Sequence, residues 1–205
     1  MKNIITAFIF CLLGAAVLHA QQQPHNTQFM YYKLGYNPGF AGSQESPCIT
    51  CIYRQQWLGL DGAPSMAIAT FNMPLSNQQV GLGVNLFRHT IGITTMYNMD
   101  MAYSYRVRLG NGMLGLGVMG SLRSLEQDFQ KTTATPPKEE DGSIPGALRS
   151  KFLFNFGTGL YYSNDKFYLG LSAPRLLRNN TDFADSDIVI SREVQHLYLM
   201  GGWTI

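Results

Sequence analysis

The sequence predicts an all-β fold: a transmembrane antiparallel β-barrel of the outer membrane with about eight strands. Three features predict it, namely an export signal, a low charge content and segments of about ten residues in which apolar and polar side chains alternate. Only 14% of the 205 residues are charged, against about 25% in ordinary soluble domains. Glycine (21), tyrosine (11) and phenylalanine (12) are abundant. This composition is typical of a chain whose strands face lipid on one side.

The N-terminus has the pattern of a secretory signal peptide. Lys2 precedes an apolar run from Ile4 to Leu18, and Ala20 precedes three glutamines. The run is too short for a membrane-spanning helix, and no later segment has the roughly 20 apolar residues that such a helix needs. We therefore expect residues 1–20 to be the signal peptide, 21–47 an N-terminal periplasmic segment and 48–205 the outer-membrane barrel domain.

Net charge excludes one class of partner. The formal net charge is +2 at pH 7, and the mean hydropathy is −0.05. Neither value indicates the positive surface of a nucleic-acid-binding protein, so we expect no nucleic acid as a partner. The predicted barrel implies outer-membrane lipid as a partner.

Alternation with a period of two residues predicts the strands. From residue 99 to 109, the odd positions carry Met, Tyr, Val and Leu, whereas the even positions include Asp100, Ser104, Arg106 and Arg108. The same period recurs over 80–86, 114–122, 152–162 and 197–204. A soluble sandwich or lipocalin-like barrel with its apolar face inward would alternate in the same way. The low charge content and the aromatic residues at strand ends favour the membrane.

Connection lengths support the barrel and predict its orientation. The predicted strands are 48–59, 65–73, 79–88, 94–109, 112–125, 150–163, 166–173 and 195–205. Short connections, among them 110–111 and 164–165, alternate with others that include the two longest, 126–149 and 174–194. This predicts tight periplasmic turns, longer outer loops and both ends of the mature chain in the periplasm. The polar segment around Glu139, Glu140 and Asp141 should then be open to protease outside the cell.

One short segment combines aromatic, amide and charged residues. On a strand, Tyr53 and Trp57 share a face and are expected at the level of the lipid headgroups, while Arg54 and Gln56 point into a polar lumen. The following glycines, with a proline, predict an outer turn.

Three motifs carry a resemblance to a known family. The first consists of Asn37, Pro38, Ala41 and Gly42; the second of Tyr53, Arg54, Trp57, Gly59, Asp61, Gly62, Ala63 and Pro64; the third of Tyr103, Tyr105 and Arg106. With these motifs, the chain from about residue 28 to its end resembles the PorP/SprF family of type IX secretion outer-membrane proteins.

The resemblance implies a function, partners and a location. It implies a non-enzymatic integral component of the secretion or gliding machinery in the outer membrane of Gram-negative, Bacteroidetes-type bacteria. Such a component supports export or surface attachment of specific cargo proteins with C-terminal sorting domains, beside other secretion-system subunits. The motif residues would be structural or partner-docking, with no cofactor. Family members continue for several strands beyond this end point, so we expect the eight strands to form an incomplete barrel that needs a further partner strand.

Two alternative functions stay open: a small outer-membrane hydrolase acting on lipid or peptide, and a passive pore. The one arrangement that fits a hydrolase is His89 beside Thr90 with Asp61 in the neighbouring loop, and no motif fixes its geometry. Cys48 and Cys51 form a C-x-x-C without a βαβ context, and two ligands make a poor metal site. A disulfide between them would require a turn or bulge in the strand. We expect no catalytic, cofactor or metal site.

Overall fold

The structure is a computed structural model that describes residues 27–75, 78–129, 148–181 and 193–203. It contains eight strands: β1 (Cys48–Gln55), β2 (Ser65–Leu75), β3 (Val80–Ile91), β4 (Thr94–Leu109), β5 (Gly112–Asp128), β6 (Leu148–Ser163), β7 (Phe167–Ala173) and β8 (Tyr198–Trp203). Each strand pairs antiparallel with the next, in the order β1 to β8, and the sheet curls into a half-barrel with β1 and β8 at its edges. The predicted fold class and all eight predicted strands are confirmed.

The two faces of the sheet differ as the alternation predicts. On β6 the outward side chains of Phe152, Phe154 and Phe156 are 61–65% exposed. On β4 the inward side chains of Asp100 and Arg106 are at most 7% exposed. A soluble barrel would bury the aromatic face and expose the charges, so the arrangement is that of a membrane barrel. Among the residues described, no helix has the length and apolar character needed to span a bilayer.

The outward face has the height of a bilayer. Tyr97 and Val107 both face outward on β4, 10 residues apart, which is roughly 33 Å along the strand. At a tilt of about 40° this is roughly 25 Å along the membrane normal, the usual height of the apolar band. Tyr53 and Tyr97 lie near one edge of the band, and Phe167 stacks on Trp203 at 5.8 Å near the other. These aromatic residues match the interfacial girdles of membrane barrels.

The first strand is shorter than predicted. It ends at Gln55 rather than at residue 59, so Trp57 does not share a strand face with Tyr53. Trp57 has a φ of 48°, in the left-handed region, and its carbonyl accepts a hydrogen bond from the amide of Leu60 at 3.1 Å. The chain therefore turns before Trp57 can extend the ladder. Arg54 faces inward, as the alternation predicts.

The third strand is longer than predicted. It continues to Ile91, so His89 is a half-buried strand residue and not part of a loop. Only Gly92 and Ile93 connect β3 to β4, since the ladder closes at the pair Ile91 and Thr94. This connection breaks the predicted contrast between short and long turns. The contrast holds for the two longest connections, between β5 and β6 and between β7 and β8.

Three short elements precede the sheet. Two 3-10 turns, Phe29–Tyr31 and Pro38–Phe40, flank a single turn of α-helix, α1 (Lys33–Tyr36). Residues 32–42, called the plug below, lie against the inward face of β2 to β7. The predicted signal peptide and the segment around Glu139 lie outside the described residues.

Candidate functional site

The plug has a local conformation that its sequence explains. Asn37 is held in an extended conformation, with φ −140° and ψ 110°, because a proline follows it. Its side-chain oxygen accepts a hydrogen bond from the amide of Gly39 at 2.9 Å. Pro38 opens the next 3-10 turn, where a missing N–H costs nothing. The first family motif therefore encodes a compact turn that ends α1.

Glycines on the inward face of the sheet make room for the plug. A Cβ built on any of these glycines would come within 3.0 Å of an atom of the plug, a distance that real Cβ atoms essentially never show. The glycines are Gly81 and Gly83 on β3, Gly115 and Gly117 on β5, Gly159 on β6 and Gly170 on β7. Three of them, Gly81, Gly117 and Gly159, lie in one register row with Ser104, which is fully buried. The sheet can therefore approach the plug at backbone distance only because these positions lack a side chain.

Hydrogen bonds fix the plug to four different strands. The amide nitrogen of Asn37 donates to the carbonyl of Leu160 on β6 at 2.8 Å, and the hydroxyl of Ser172 on β7 donates to the carbonyl of Tyr36 at 2.7 Å. The side-chain oxygen of Asn72 on β2 accepts from the amide of Gly42 at 2.6 Å. Arg106 on β4 donates to the carbonyl of Gly42. Backbone groups of the plug are thus satisfied by inward side chains of the sheet.

Apolar and aromatic contacts complete the plug. Leu34 and Ala41 pack in one buried cluster with Ala102 and Met119. Lys33 places its ammonium 3.7 Å from the centre of the Tyr168 ring, a cation–π contact that compensates part of its burial. Burial lowers the pKa of Lys33 from its ordinary value. Burial, and to a lesser degree the nearby Asp100 carboxylate, raises the pKa of Tyr32 far above its ordinary value.

A polar row crosses the sheet beside the plug. Asn85, Asp100, Ser121 and Asn155 are register partners on β3, β4, β5 and β6, and all four are at least 94% buried. Asn85 and Asn98 each donate an amide hydrogen to one oxygen of Asp100, at 2.6 and 2.7 Å. The inward carboxylate that the sequence predicts is thus held by amides and not by an arginine.

A second inward carboxylate, not foreseen from the sequence, comes from the connection between β7 and β8. Glu193 is 5% exposed and lies 2.8 Å from Arg123 and 3.4 Å from Arg175. It also accepts hydrogen bonds from the side-chain amides of Asn155 at 2.9 Å and Asn179 at 3.2 Å. The signal that could have found it is Arg123 itself, an inward arginine that needs a counter-charge.

The second family motif forms a fixed turn with an apolar tip. The carbonyl of Pro64 accepts from the amide of Gln56 at 2.9 Å, and the carbonyl of Gly62 accepts from the amide of Gly92, in the neighbouring turn, at 2.8 Å. Gly59 and Gly62 have φ of 89° and 74°, which other residues rarely adopt.

At the tip of this turn, three large apolar side chains contact little of the described chain. Trp57, Leu58 and Leu60 are 66%, 86% and 59% exposed. Asp61 is exposed beside them, whereas Ala63 and Pro64 are buried. The motif therefore contains buried residues that belong to the fold, Ala63 and Pro64, and exposed residues, Trp57 and Asp61, that are open to a partner.

The third family motif divides between the two faces of β4. Tyr103 and Tyr105 face outward and are 46% and 45% exposed, whereas Arg106 faces inward and binds the plug. The structure thus brings Arg106 together with the first motif, and leaves both tyrosines in the apolar band.

The hydrolase arrangement considered from the sequence is not assembled. His89 and Thr90 are consecutive residues of β3 and point to opposite faces. The ring of His89 stacks on Phe87, while the hydroxyl of Thr90 lies 3.4 Å from that of Thr95. Asp61 is exposed in the turn between β1 and β2.

The two cysteines of β1 are free. Cys48 faces inward and Cys51 faces outward on a regular strand, so the bulge that a disulfide would require is absent. Within the described residues there is also no group of three or more His, Cys, Asp or Glu side chains that could hold a metal ion.

Comparison with known proteins gives one match. Residues 18–205 match the family described as "Type IX secretion system membrane protein PorP/SprF". The match covers the plug, the whole sheet and all three motifs. No curated protein and no solved structure matches the chain.

Proposed function

Because the chain belongs to the PorP/SprF family of type IX secretion system membrane proteins, we propose that it is a non-enzymatic integral component of that system in the outer membrane. In this role it supports export or surface attachment of specific cargo proteins that carry C-terminal sorting domains. Its apolar outward band and aromatic girdles support a barrel embedded in the outer membrane.

The observation that carries this proposal is the way the family motifs divide the molecule. The first motif and Arg106 bind each other on the inward face, so these residues form the structural scaffold of the plug. The turn that contains the second motif presents Trp57 of the motif, with Leu58 and Leu60 beside it, outside that scaffold, and hydrogen bonds fix the backbone of this turn. An exposed apolar tip on a rigid base is suited to bind another protein, because little ordering entropy is lost on docking.

On the inward face of the half-barrel, the plug occupies space that a passive pore would leave to water. The plug packs against the glycines of β3, β5, β6 and β7 at backbone distance, and Asn37, Pro38 and Gly39 are all buried. Backbone packed this closely leaves no room for water between plug and sheet at that level. We assign the exposed turn between β1 and β2 as the surface for secretion-system subunits or cargo.

The test is a double variant of the turn, Leu58→Ala with Leu60→Ala, in the native bacterium. Both side chains are exposed, so the barrel should assemble in normal amount. The matched control is Leu176→Ala with Leu177→Ala, which removes two leucines of 42% and 43% exposure from the connection between β7 and β8. We expect the turn variant, and not the control, to lose cargo from the cell surface. Normal cargo display in the turn variant would contradict the assignment.

A further inference from the structure

A groove on the outward face of the sheet lies apart from the plug, which occupies the inward face. It crosses β2 to β6 near the end that carries the turn between β1 and β2, and its volume is about 440 Å³. Its apolar sides are formed by Ala67, Ala69, Leu86, Met99, Leu122 and Phe152. All six side chains point outward, as their positions in the ladders require. The volume lies within the range of about 300–1,000 Å³ for sites that hold small ligands.

Three polar side chains line the edge of this groove. Arg88, Tyr97 and Ser124 are register partners on β3, β4 and β5, and all three face outward into the groove. The guanidinium of Arg88 lies 5.7 Å from the centre of the Tyr97 ring, which restrains its position. The hydroxyl oxygen of Ser124 is buried and has no hydrogen-bond partner in the described part of the chain. The protein encloses this hydroxyl, so the polar side chains that a ligand in the groove can reach are Arg88 and Tyr97, which are exposed.

The depth of Arg88 in the membrane identifies the ligand class. The outward row on the side of the turns is polar and contains Thr90, Thr95 and Glu126. The outward row on the side of the band centre is apolar and contains Leu86, Met99 and Leu122. Arg88 therefore stands at the boundary between headgroups and acyl chains. Glu126 lies two strands away and one row further out, and among the described residues Arg88 has no ion pair. A cation at this depth favours an anionic partner.

We propose that this groove binds an anionic, phosphate-bearing membrane lipid. One acyl chain lies against Ala67, Ala69 and Leu86, and the phosphate accepts hydrogen bonds from Arg88. The planar guanidinium matches the geometry of a phosphate. The occupant is a lipid and not a protein chain, because the groove opens on the face that the apolar band places in the bilayer. The small side chains of Ala67 and Ala69 leave the space that the acyl chain fills.

Binding to the full-length mature protein, purified in detergent, tests the proposal. The probes are phosphatidylglycerol, lipid A and phosphatidylcholine added to the micelles, with inorganic phosphate as a separate probe, and native mass spectrometry counts the lipid retained. We expect one anionic lipid to be retained, about tenfold more tightly than phosphatidylcholine, the scale of one charge-assisted hydrogen bond. A preference for lipid A or for phosphatidylglycerol identifies which anionic lipid occupies the groove. Inorganic phosphate alone should not bind, since it lacks the acyl chain.

Two variants separate the headgroup from the acyl chain. Arg88→Gln should reduce the preference for anionic lipid about tenfold, whereas Ala69→Phe, which fills the groove without changing charge, should reduce the retention of every lipid. Arg108→Gln is the control, because Arg108 is an exposed arginine at the other end of β4. Arg88→Lys serves as a second headgroup variant if Arg88→Gln fails to assemble, and it should weaken binding by losing the bidentate geometry. Equal retention of anionic lipid by the wild type, the headgroup variant and Ala69→Phe would overturn the proposal.

Discussion

The side-chain amide of Asn37 donates a hydrogen bond of 2.8 Å to the backbone carbonyl of Leu160, across 123 residues of sequence. The other end of the same amide accepts from Gly39. One side chain thus shapes the turn of the plug and attaches that turn to β6. This dual role gives the first family motif a structural explanation.

Replacing Asn37 should loosen the plug. Asn37→Ala removes two hydrogen bonds of a fully buried side chain, and we expect a loss of about 1–3 kcal/mol in the free energy of unfolding, because the amide of Gly39 and the carbonyl of Leu160 lose this partner. This loss of stability is measured by thermal unfolding in detergent, with the heat-dependent shift in electrophoretic mobility as the readout. Gln44→Ala, at an exposed position after the plug, is the control. An unchanged midpoint for Asn37→Ala would show that the plug contributes little to stability.

Two glycines of β5 provide a matched pair. A Cβ at Gly117 would overlap the backbone of Pro38 and Gly39, whereas a Cβ at Gly120 meets nothing within 4 Å. Gly117→Ala should therefore displace the plug and make residues 27–47 sensitive to protease, and Gly120→Ala should not. Limited proteolysis of both purified variants measures this difference in sensitivity. Equal resistance of the two would mean that the plug is not seated against β5.

Removing Glu193 should release the connection between β7 and β8. Glu193→Ala leaves Arg123 and Arg175 without their shared carboxylate in a buried site, at a cost of about 3–5 kcal/mol. We expect faster proteolysis between residues 174 and 197 and a lower unfolding midpoint. Asp165→Ala, in an exposed turn at the other end, should leave both unchanged. A double variant with Arg123→Met should recover part of the loss, since it also removes a buried charge.

Labelling of single cysteines tests the orientation. In a chain with Cys48→Ser and Cys51→Ser, the Leu58→Cys variant should react with a membrane-impermeant maleimide on intact cells. The Asn111→Cys variant should react only after the outer membrane is opened, because residues 58 and 111 lie at opposite ends of the strands. Labelling of position 111 alone on intact cells would reverse the predicted topology.

The alternation of side chains allowed the sheet to be predicted from the sequence. The pattern of a strand between lipid and a polar interior is clear on β6, where Phe152, Phe154 and Phe156 alternate with Asn155. The structure places each of these residues on the expected face. Strand ends were less predictable. Trp57 favours a strand by propensity, yet the glycines after it permit a turn that forces Trp57 into the left-handed region. His89 has the composition of a loop residue, but pairing with Met96 keeps it in β3.

The plug could not be predicted in this way. Inward glycines such as Gly81 and Gly117 indicate that some backbone approaches closely, but a sequence does not say which segment does so. Glu193 was missed for a related reason. It lies 70 residues after Arg123 in an irregular connection, where no period indicates the direction of a side chain.

Cross-linking of the plug to the sheet in the native membrane tests the central claim most directly. A Cβ on Gly83 would lie 3.3 Å from Cγ of Leu34, close to the separation between Cβ of one cysteine and Sγ of the other in a disulfide. In the chain with Cys48→Ser and Cys51→Ser, the pair Leu34→Cys and Gly83→Cys should therefore form an intramolecular disulfide, detected as a linked peptide by mass spectrometry. The control pair Leu34→Cys and Gly120→Cys should not, since Gly120 faces outward. Formation of the first link alone is the result that the structure predicts. Absence of the first link in correctly inserted protein would contradict a plug seated on the inward face.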